Sequence, residues 1–299
     1  MTMKIKIRGI MAAMVTPFTK GGENVDYDKI GPLANRLLSQ GAHGLFPCGT
    51  TSEGMLMSAE ERKETLEEVL RTAPKKTPVI AHTGCLDYAT TLELTRHARD
   101  AGATAASIVA PGYYAYDDAG LFQYYRNLAR AVDGFPILLY NIPACARNVL
   151  SPELVLKLAE SEENIVGIKD SSGVMTALTR MIGNAPDGFH VICGTDDYGF
   201  QAILAGCPAL VSGLSNVVCE IYAAVYENIQ KKNLKKAWQE QIRLERAARI
   251  FKYGQNLASF KEGLRLRGFD AGYVRPPQRD LTAAEKKQLE KDMQELGVI

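Results

Sequence analysis

A lysine at the end of an apolar segment is the first candidate for chemistry in this sequence. The segment 164–169 reads NIVGIK, and Asp170 and two serines follow it. Such a lysine either packs its stem on apolar surface and extends its ammonium into water, or is partly desolvated and reactive. A neutral lysine amine is the nucleophile that forms a Schiff base with a ketone. The segment alone leaves both interpretations open.

Two other short segments carry groups that would complement a reactive amine. CGTTSEG at 48–54 combines glycines with Thr50 and Thr51, and hydroxyl and backbone N–H groups at such a turn can bind a carboxylate. Tyr140 ends the apolar segment PILLY, and its phenol can transfer a proton. The ordinary alternatives are a helix-capping turn and a buried tyrosine that bonds to the backbone. An aromatic cluster that equally suits a subunit interface consists of Tyr113, Tyr114 and Tyr116.

Eight short apolar segments must position these groups, and segments with helical periodicity lie between them. Continuous apolar strands that alternate with helices indicate a parallel sheet covered by helices. Eight such units predict a (β/α)8 TIM barrel, and an open doubly wound sheet fits less well because no GxGxxG follows the first strand. The predicted strands are 9–15, 44–48, 78–82, 106–110, 136–140, 164–169, 190–193 and 209–213.

The pattern becomes entirely helical after the eighth strand. One helix completes the barrel, and three more follow without a Gly/Ser/Pro-rich linker. We therefore predict a catalytic barrel over residues 1–230 and a three-helix C-terminal extension over residues 231–299 that packs on the barrel.

The barrel fold places the active site at the C-terminal ends of the strands. Side chains alternate between the two faces of a strand. On the sixth strand, Ile165, Gly167 and Lys169 should therefore point one way, while Val166 and Ile168 point toward the helices. This alternation predicts that Lys169 points into the barrel, with Gly167 leaving space beneath it. Desolvation there favours the neutral, nucleophilic form of the amine.

The overall composition excludes several classes of function. The chain has 299 residues, of which 46% are hydrophobic and 23% charged, with a formal net charge of +1. This balance gives no electrostatic basis for binding nucleic acid, and no apolar run is long enough for a membrane helix. Six cysteines without a CxxC pair and four histidines without HExxH spacing predict no metal site and a reducing, cytoplasmic location.

The motifs GTTSEG, YNIPA and GIKDSSG occur in this order at the ends of strands two, five and six. Together they resemble the dihydrodipicolinate synthase / N-acetylneuraminate lyase family of pyruvate-dependent class I aldolases. The resemblance extends from MVTPF at 14–18 to RPP at 275–277. It implies a homotetramer that binds pyruvate and an aldehyde, and no cofactor beyond a covalent lysine imine with the substrate.

The resemblance also implies catalytic roles for four residues. Lys169 would form the imine with the keto carbon of pyruvate or of a 2-oxo acid. Tyr140 would donate and accept protons. Thr50 would link Tyr140 by a hydrogen bond to Tyr113, which often comes from a neighbouring subunit in this family.

Four further residues would form the substrate site in the same family pattern. Thr51 and N–H groups near Gly49 would hold the pyruvate carboxylate. Gly194 and Val211, at the ends of strands seven and eight, would line the pocket.

One departure from the family pattern bears on the aldehyde. Dihydrodipicolinate synthases carry an arginine two residues after the proline of the YNxP motif, where this chain has Cys145, and the nearest arginine is Arg147. We therefore expect an aldolase acting on a 2-oxo acid, such as a 2-keto-3-deoxy sugar acid or sialic acid. The alternative is 4-hydroxy-tetrahydrodipicolinate synthase, which condenses pyruvate with aspartate semialdehyde. Hypotheses of another class are a phosphosugar-binding barrel enzyme and a non-catalytic binding protein.

Overall fold

Eight parallel strands form a barrel, as the sequence predicts. The computed structural model describes residues 5–251 and 256–299. The strand order is β2-β1-β8-β7-β6-β5-β4-β3, and a parallel bridge between Leu45 and Val79 joins the two ends of the sheet. The strands are β1 Gly9–Ala13, β2 Gly44–Phe46, β3 Ile80–His82, β4 Ala105–Val109, β5 Ile137–Asn141, β6 Ile165–Asp170, β7 His190–Cys193 and β8 Ala209–Ser212.

Helices follow the strands and cover the outside of the barrel. Capping boxes begin two of the helices, at Ser58 with Glu61 and at Thr282 with Glu285, a spacing that satisfies free backbone N–H groups at a helix start. The helices up to the end of the barrel are α1 Ile30–Ser39, α2 Ala59–Thr72, α3 Tyr88–Asp100, α4 Asp118–Arg130, α5 Pro143–Ala146, α6 Pro152–Ser161, α7 Met175–Asn184, α8 Gly199–Ala205 and α9 Ser215–Gln230.

After residue 230 the described part of the chain forms three helices, in agreement with the predicted helical extension. They are α10 Leu234–Ile250, α11 Asn256–Leu266 and α12 Ala283–Leu296. α10 packs against α9 and α12, and α11 packs against α9. The division of the chain into two domains at residue 230 stays a prediction. The helical sequence pattern extends the first of these helices to residue 254, and residues 252–254 lie outside the described residues.

Two apolar clusters give the barrel a filled centre and a separate layer under the helices. The inner cluster contains one or two side chains from every strand, including Phe46, Leu138 and Val211. The outer cluster joins the strands to the surrounding helices. The barrel is therefore a packed core, and any cavity must lie at its ends.

The sixth strand departs from simple alternation. Val166 packs in the inner cluster, whereas Ile165 and Ile168 pack in the outer one, so the prediction that Val166 faces the helices and Ile165 the interior is wrong. The pairing between β5 and β6 shifts register after Ile165, and such a bulge changes which residues face inward.

Gly167 serves a different purpose from the one expected. A methyl group on Gly167 would overlap the backbone of His190 and lie 2.7 Å from Cδ2 of Leu138. The glycine therefore allows neighbouring strands to approach, and it leaves no open space beneath Lys169.

Within the residues that the structure describes, no helix is long and apolar enough to cross a membrane. The same residues contain no group of three or more metal-ligating side chains suited to an ion.

Candidate active site

Lys169 lies at the end of β6 and is almost completely buried, with 5% of its surface exposed. Its Nζ lies 4.1 Å from the centroid of the Tyr140 ring and 4.6 Å from that of Phe46. Among the described residues, the Lys169 Nζ atom has no hydrogen-bond or ion-pair partner, and these two rings are its neighbours. The rings stabilise the charged amine only weakly compared with a carboxylate, so the nitrogen is held in place and remains available to a substrate.

A cavity of about 340 Å³ opens beside this amine at the C-terminal ends of the strands. Six of the eight predicted site residues line it: Thr50, Thr51, Tyr140, Lys169, Gly194 and Val211. Residues from five different strand ends therefore meet in one place, as the barrel fold requires of an active site.

Tyr140 and Thr50 form a hydroxyl pair in this cavity. The Tyr140 Oη and Thr50 Oγ1 atoms are 3.3 Å apart, and either can donate the hydrogen bond. Tyr140 is buried, whereas Thr50 is exposed. The pair can therefore carry a proton between the surface and the neighbourhood of Lys169.

Gly194 lies so close to the Lys169 side chain that only glycine fits at this position. A methyl group on Gly194 would lie 3.0 Å from Cε of Lys169 and would overlap Oγ of Ser171. Any larger residue would therefore displace the lysine side chain or the loop after β6.

Gly49 and Tyr113 do not line the cavity around Lys169. Gly49 is buried, and its carbonyl accepts hydrogen bonds from the N–H groups of Ser52 and Gly54. It therefore shapes the turn that carries Thr50 and Thr51.

Tyr113 lies at the mouth of the barrel, 74% exposed, with a left-handed backbone (φ 72°). It lines a second cavity of about 640 Å³, which shares Thr50 and Ile142 with the first. Its ring packs on Tyr114, 4.9 Å between centroids.

The loop after β5 also borders the second cavity. Cys145 and Arg147 both line it, and Arg147 follows α5 with a left-handed backbone (φ 62°). The structure thus brings a guanidinium to the mouth of the barrel although Cys145 stands where the family pattern has its arginine.

Several lining residues were not singled out from the sequence. On the polar side these are Ser171, Thr195, Asp196 and Asp197. Burial raises the pKa of Asp196, which also accepts a hydrogen bond from the Tyr222 hydroxyl. Three of these residues, Thr195, Asp196 and Asp197, directly follow Gly194 at the end of β7, but the sequence pattern does not indicate which side chains of this segment line the cavity.

The C-terminal extension also contributes to the cavity. Ala248, Phe251 and Phe260 line it. No local signal in the sequence indicates that residues so far from the strand ends reach the site.

The whole chain is similar to proteins of one family. Residues 6–296 match the Dihydrodipicolinate synthetase family. The chain belongs to the dihydrodipicolinate synthetase family. Members of this family are class I pyruvate-dependent lyases and aldolases, and the chain is an enzyme of that class.

Individual relatives cover almost the full length of this dihydrodipicolinate synthetase family member. It is 31% identical to 4-hydroxy-tetrahydrodipicolinate synthase of Methanopyrus kandleri, over 99% of both chains. It is 33% identical to the Bacillus subtilis enzyme of the same name, over 96% of this chain and 98% of the relative. Among solved structures, YagE from E. coli K12 in complex with pyruvate shares 30% identity with a TM-score of 0.93, over 98% of this chain and 99% of that one.

Proposed function

We propose that Lys169 forms an imine with pyruvate and that the enzyme makes or cleaves a C–C bond between pyruvate and an aldehyde. The observation that carries this proposal is a buried amine that pairs with no carboxylate of the described residues, in a cavity that it shares with the Tyr140–Thr50 hydroxyl pair. The amine attacks the keto carbon, and the carbonyl oxygen leaves as water. The methyl carbon then loses a proton to give an enamine, which attacks the aldehyde carbon. Water hydrolyses the product imine and restores the amine, and the reverse sequence is cleavage.

In this proposal, the threonine loop after β2 holds the pyruvate carboxylate. Thr51 lines the cavity, and a loop with hydroxyl and free N–H groups suits an anion. Tyr140 transfers the protons of the imine and enamine steps, with Thr50 as its partner. No cofactor beyond the covalent imine takes part.

We further propose aspartate semialdehyde as the aldehyde, which makes the enzyme a 4-hydroxy-tetrahydrodipicolinate synthase. The names of the full-length relatives favour this alternative over the sugar-acid reading that Cys145 suggested from the sequence. Arg147 in the second cavity supplies a cation for the carboxylate of that substrate, in place of the arginine missing at Cys145.

A second candidate is an aldolase for a neutral, hydroxylated aldehyde. Asp196 and Asp197 line the cavity together with the hydroxyl groups of Ser171 and Thr195. Carboxylates accept hydrogen bonds from hydroxyl groups and repel an anionic aldehyde.

The assembly that we propose is a cytoplasmic homotetramer. Tyr113, Tyr114, Leu86 and Met55 are large apolar residues that are more than half exposed around the second cavity or next to it, and exposed apolar patches of this kind mark interaction sites. A neighbouring subunit would cover them and bring its own Tyr113 toward the Thr50 hydroxyl.

Borohydride trapping tests the imine. The protein is incubated with pyruvate and borohydride, and its intact mass and the modified peptide are measured. We expect one adduct, on Lys169, and none in Lys169→Ala. A folded wild-type protein that gains no mass would contradict the proposal. Turnover with aspartate semialdehyde, N-acetylmannosamine and short sugar aldehydes then distinguishes the two candidates.

A further inference from the structure

The loop at 49–57 has a strained backbone conformation, which contacts with the rest of the protein must stabilise. It carries Thr50 and Thr51 between β2 and α2. Glu53 adopts a left-handed conformation (φ 59°), and Cys48 just before the loop does the same (φ 62°). Residues with a side chain rarely adopt this conformation unless their surroundings impose it.

The Glu53 carboxylate is the point where this loop is held. Its side chain is fully buried. Oε1 lies 2.8 Å from Nζ of Lys261, and Oε2 accepts hydrogen bonds from the Arg275 N–H at 2.8 Å and from Nε2 of Gln278 at 3.3 Å. All three partners belong to the C-terminal extension, so the loop after β2 depends on residues more than 200 positions later.

Lys261, the partner of Glu53, is also held by several contacts. It is 2% exposed, donates a second hydrogen bond to the Tyr273 carbonyl, and lies 4.5 Å from the centroid of the Phe18 ring. Burial lowers the pKa of Lys261, and the Glu53 charge opposes that shift. Each charge is therefore tolerated only while the other stays in place.

Arg275 fixes the end of the same loop. Its Nη1 donates to the Leu56 carbonyl at 3.0 Å, and its guanidinium makes two 2.7 Å hydrogen bonds to Glu61 at the start of α2. The segment 261–278 thus holds the loop at two points, while Phe260 beside it lines the cavity of Lys169.

We propose that the buried Glu53–Lys261 ion pair positions Thr50 and Thr51 for the carboxylate of pyruvate, so that the C-terminal extension sets the affinity of the site. This inference rests on the proposed function. If the ion pair served stability alone, apolar side chains could replace both charges without loss of stability or of pyruvate affinity. The directional hydrogen bonds at Glu53 fix a backbone orientation that apolar contacts would not fix.

The test measures the pyruvate concentration that gives half-maximal borohydride trapping on Lys169. It compares the wild type with Glu53→Gln, Lys261→Met and the double variant, in which both charges are removed together. We expect the half-maximal concentration and the KM for pyruvate to rise about 10- to 100-fold in all three variants, because misplaced binding groups reduce rates by such factors. The KM for the aldehyde should change much less.

The control is Arg279→Ala, which breaks an exposed ion pair with Glu285 in the same extension and should trap at wild-type pyruvate concentrations. A double variant that is stable and also traps at wild-type concentrations would overturn the inference, even if a single variant fails to fold. A wild type without any adduct would overturn the proposed function and this inference with it. An adduct in the wild type with unchanged affinity in the variants would overturn the inference alone.

Discussion

Lys169 and Lys261 are both buried beside aromatic rings, but their nitrogens have different neighbours. Lys261 has a carboxylate at 2.8 Å and a backbone carbonyl. The described part of the chain offers Lys169 only two rings and a cavity. Burial is common to the two lysines, so burial alone does not make an amine reactive. What distinguishes Lys169 is that its nitrogen has no hydrogen-bond or ion-pair partner in residues 5–251 and 256–299 and that its side chain lines a cavity.

Activity should separate the two lysines most strongly. We expect Lys169→Ala to reduce turnover by at least about 10⁴-fold, as removal of a covalent nucleophile does, and Lys261→Ala to retain measurable trapping on Lys169 at high pyruvate. Steady-state kinetics measures the turnover, and the intact mass after borohydride treatment measures the trapping. If both variants fold and lose turnover to the same extent, the proposed difference in role between Lys169 and Lys261 is wrong.

For stability we expect the reverse order: substitution of Lys261 should destabilise the protein more than substitution of Lys169. Lys261→Met leaves the Glu53 charge buried without its partner and should lower the free energy of unfolding by about 3–5 kcal/mol. Lys169→Met removes a buried polar group that has no hydrogen-bond partner among the described residues, and it should leave that free energy unchanged or raise it. Urea denaturation of the two variants measures both values. A large loss in Lys169→Met would indicate that Lys169 has a structural role as well.

The hydroxyl pair beside Lys169 sharpens the comparison, since the neighbours described for Lys261 are a carboxylate, a backbone carbonyl and a phenyl ring. Tyr140→Phe keeps the ring near Lys169 and removes the hydroxyl that bonds to Thr50. We expect kcat to fall about 10²- to 10³-fold, while the adduct still forms slowly. Thr50→Val should have a smaller effect in the same direction. Unchanged kcat in Tyr140→Phe would exclude this hydroxyl from the proton transfers.

Gly194 gives the smallest expected effect. Gly194→Ala places a methyl group 3.0 Å from Cε of Lys169 and should lower kcat/KM about 10- to 100-fold by displacing the amine. The matched control is Gly183→Ala on the outer helix α7, where a methyl group meets no atom within 4 Å. If both variants keep full activity, the space around Lys169 is less restricted than the structure indicates.

The sequence predicted the barrel because the apolar strand segments and helical periodicities repeat locally. Six of the eight residues that it singled out line one cavity, because strand ends are positions that a linear pattern marks. Their catalytic and binding roles stay predictions. Lys169 does point inward, but simple alternation gave the wrong faces for Ile165 and Val166. The register shift opposite Ile137 depends on pairing between strands, which a single strand does not record.

Contacts between distant parts of the chain could not be predicted at all. Phe260 lines the cavity and Lys261 holds Glu53 only because the extension folds back over the barrel mouth. Both residues belong to an ordinary amphipathic helix pattern. The role proposed for Tyr113 likewise involves a neighbouring subunit, and a pattern within one chain does not describe such a contact.

The dependence of the threonine loop on Arg275 and Gln278 also has a consequence for biosynthesis. Translation proceeds from the N-terminus, so a nascent polypeptide completes all eight strands and Lys169 well before these last anchors are made. During that interval the loop lacks its supports, and the cavity lacks the wall that Phe260 provides. The proposed pyruvate site can therefore be completed only after the segment 261–278 has been synthesised and has folded back onto the barrel.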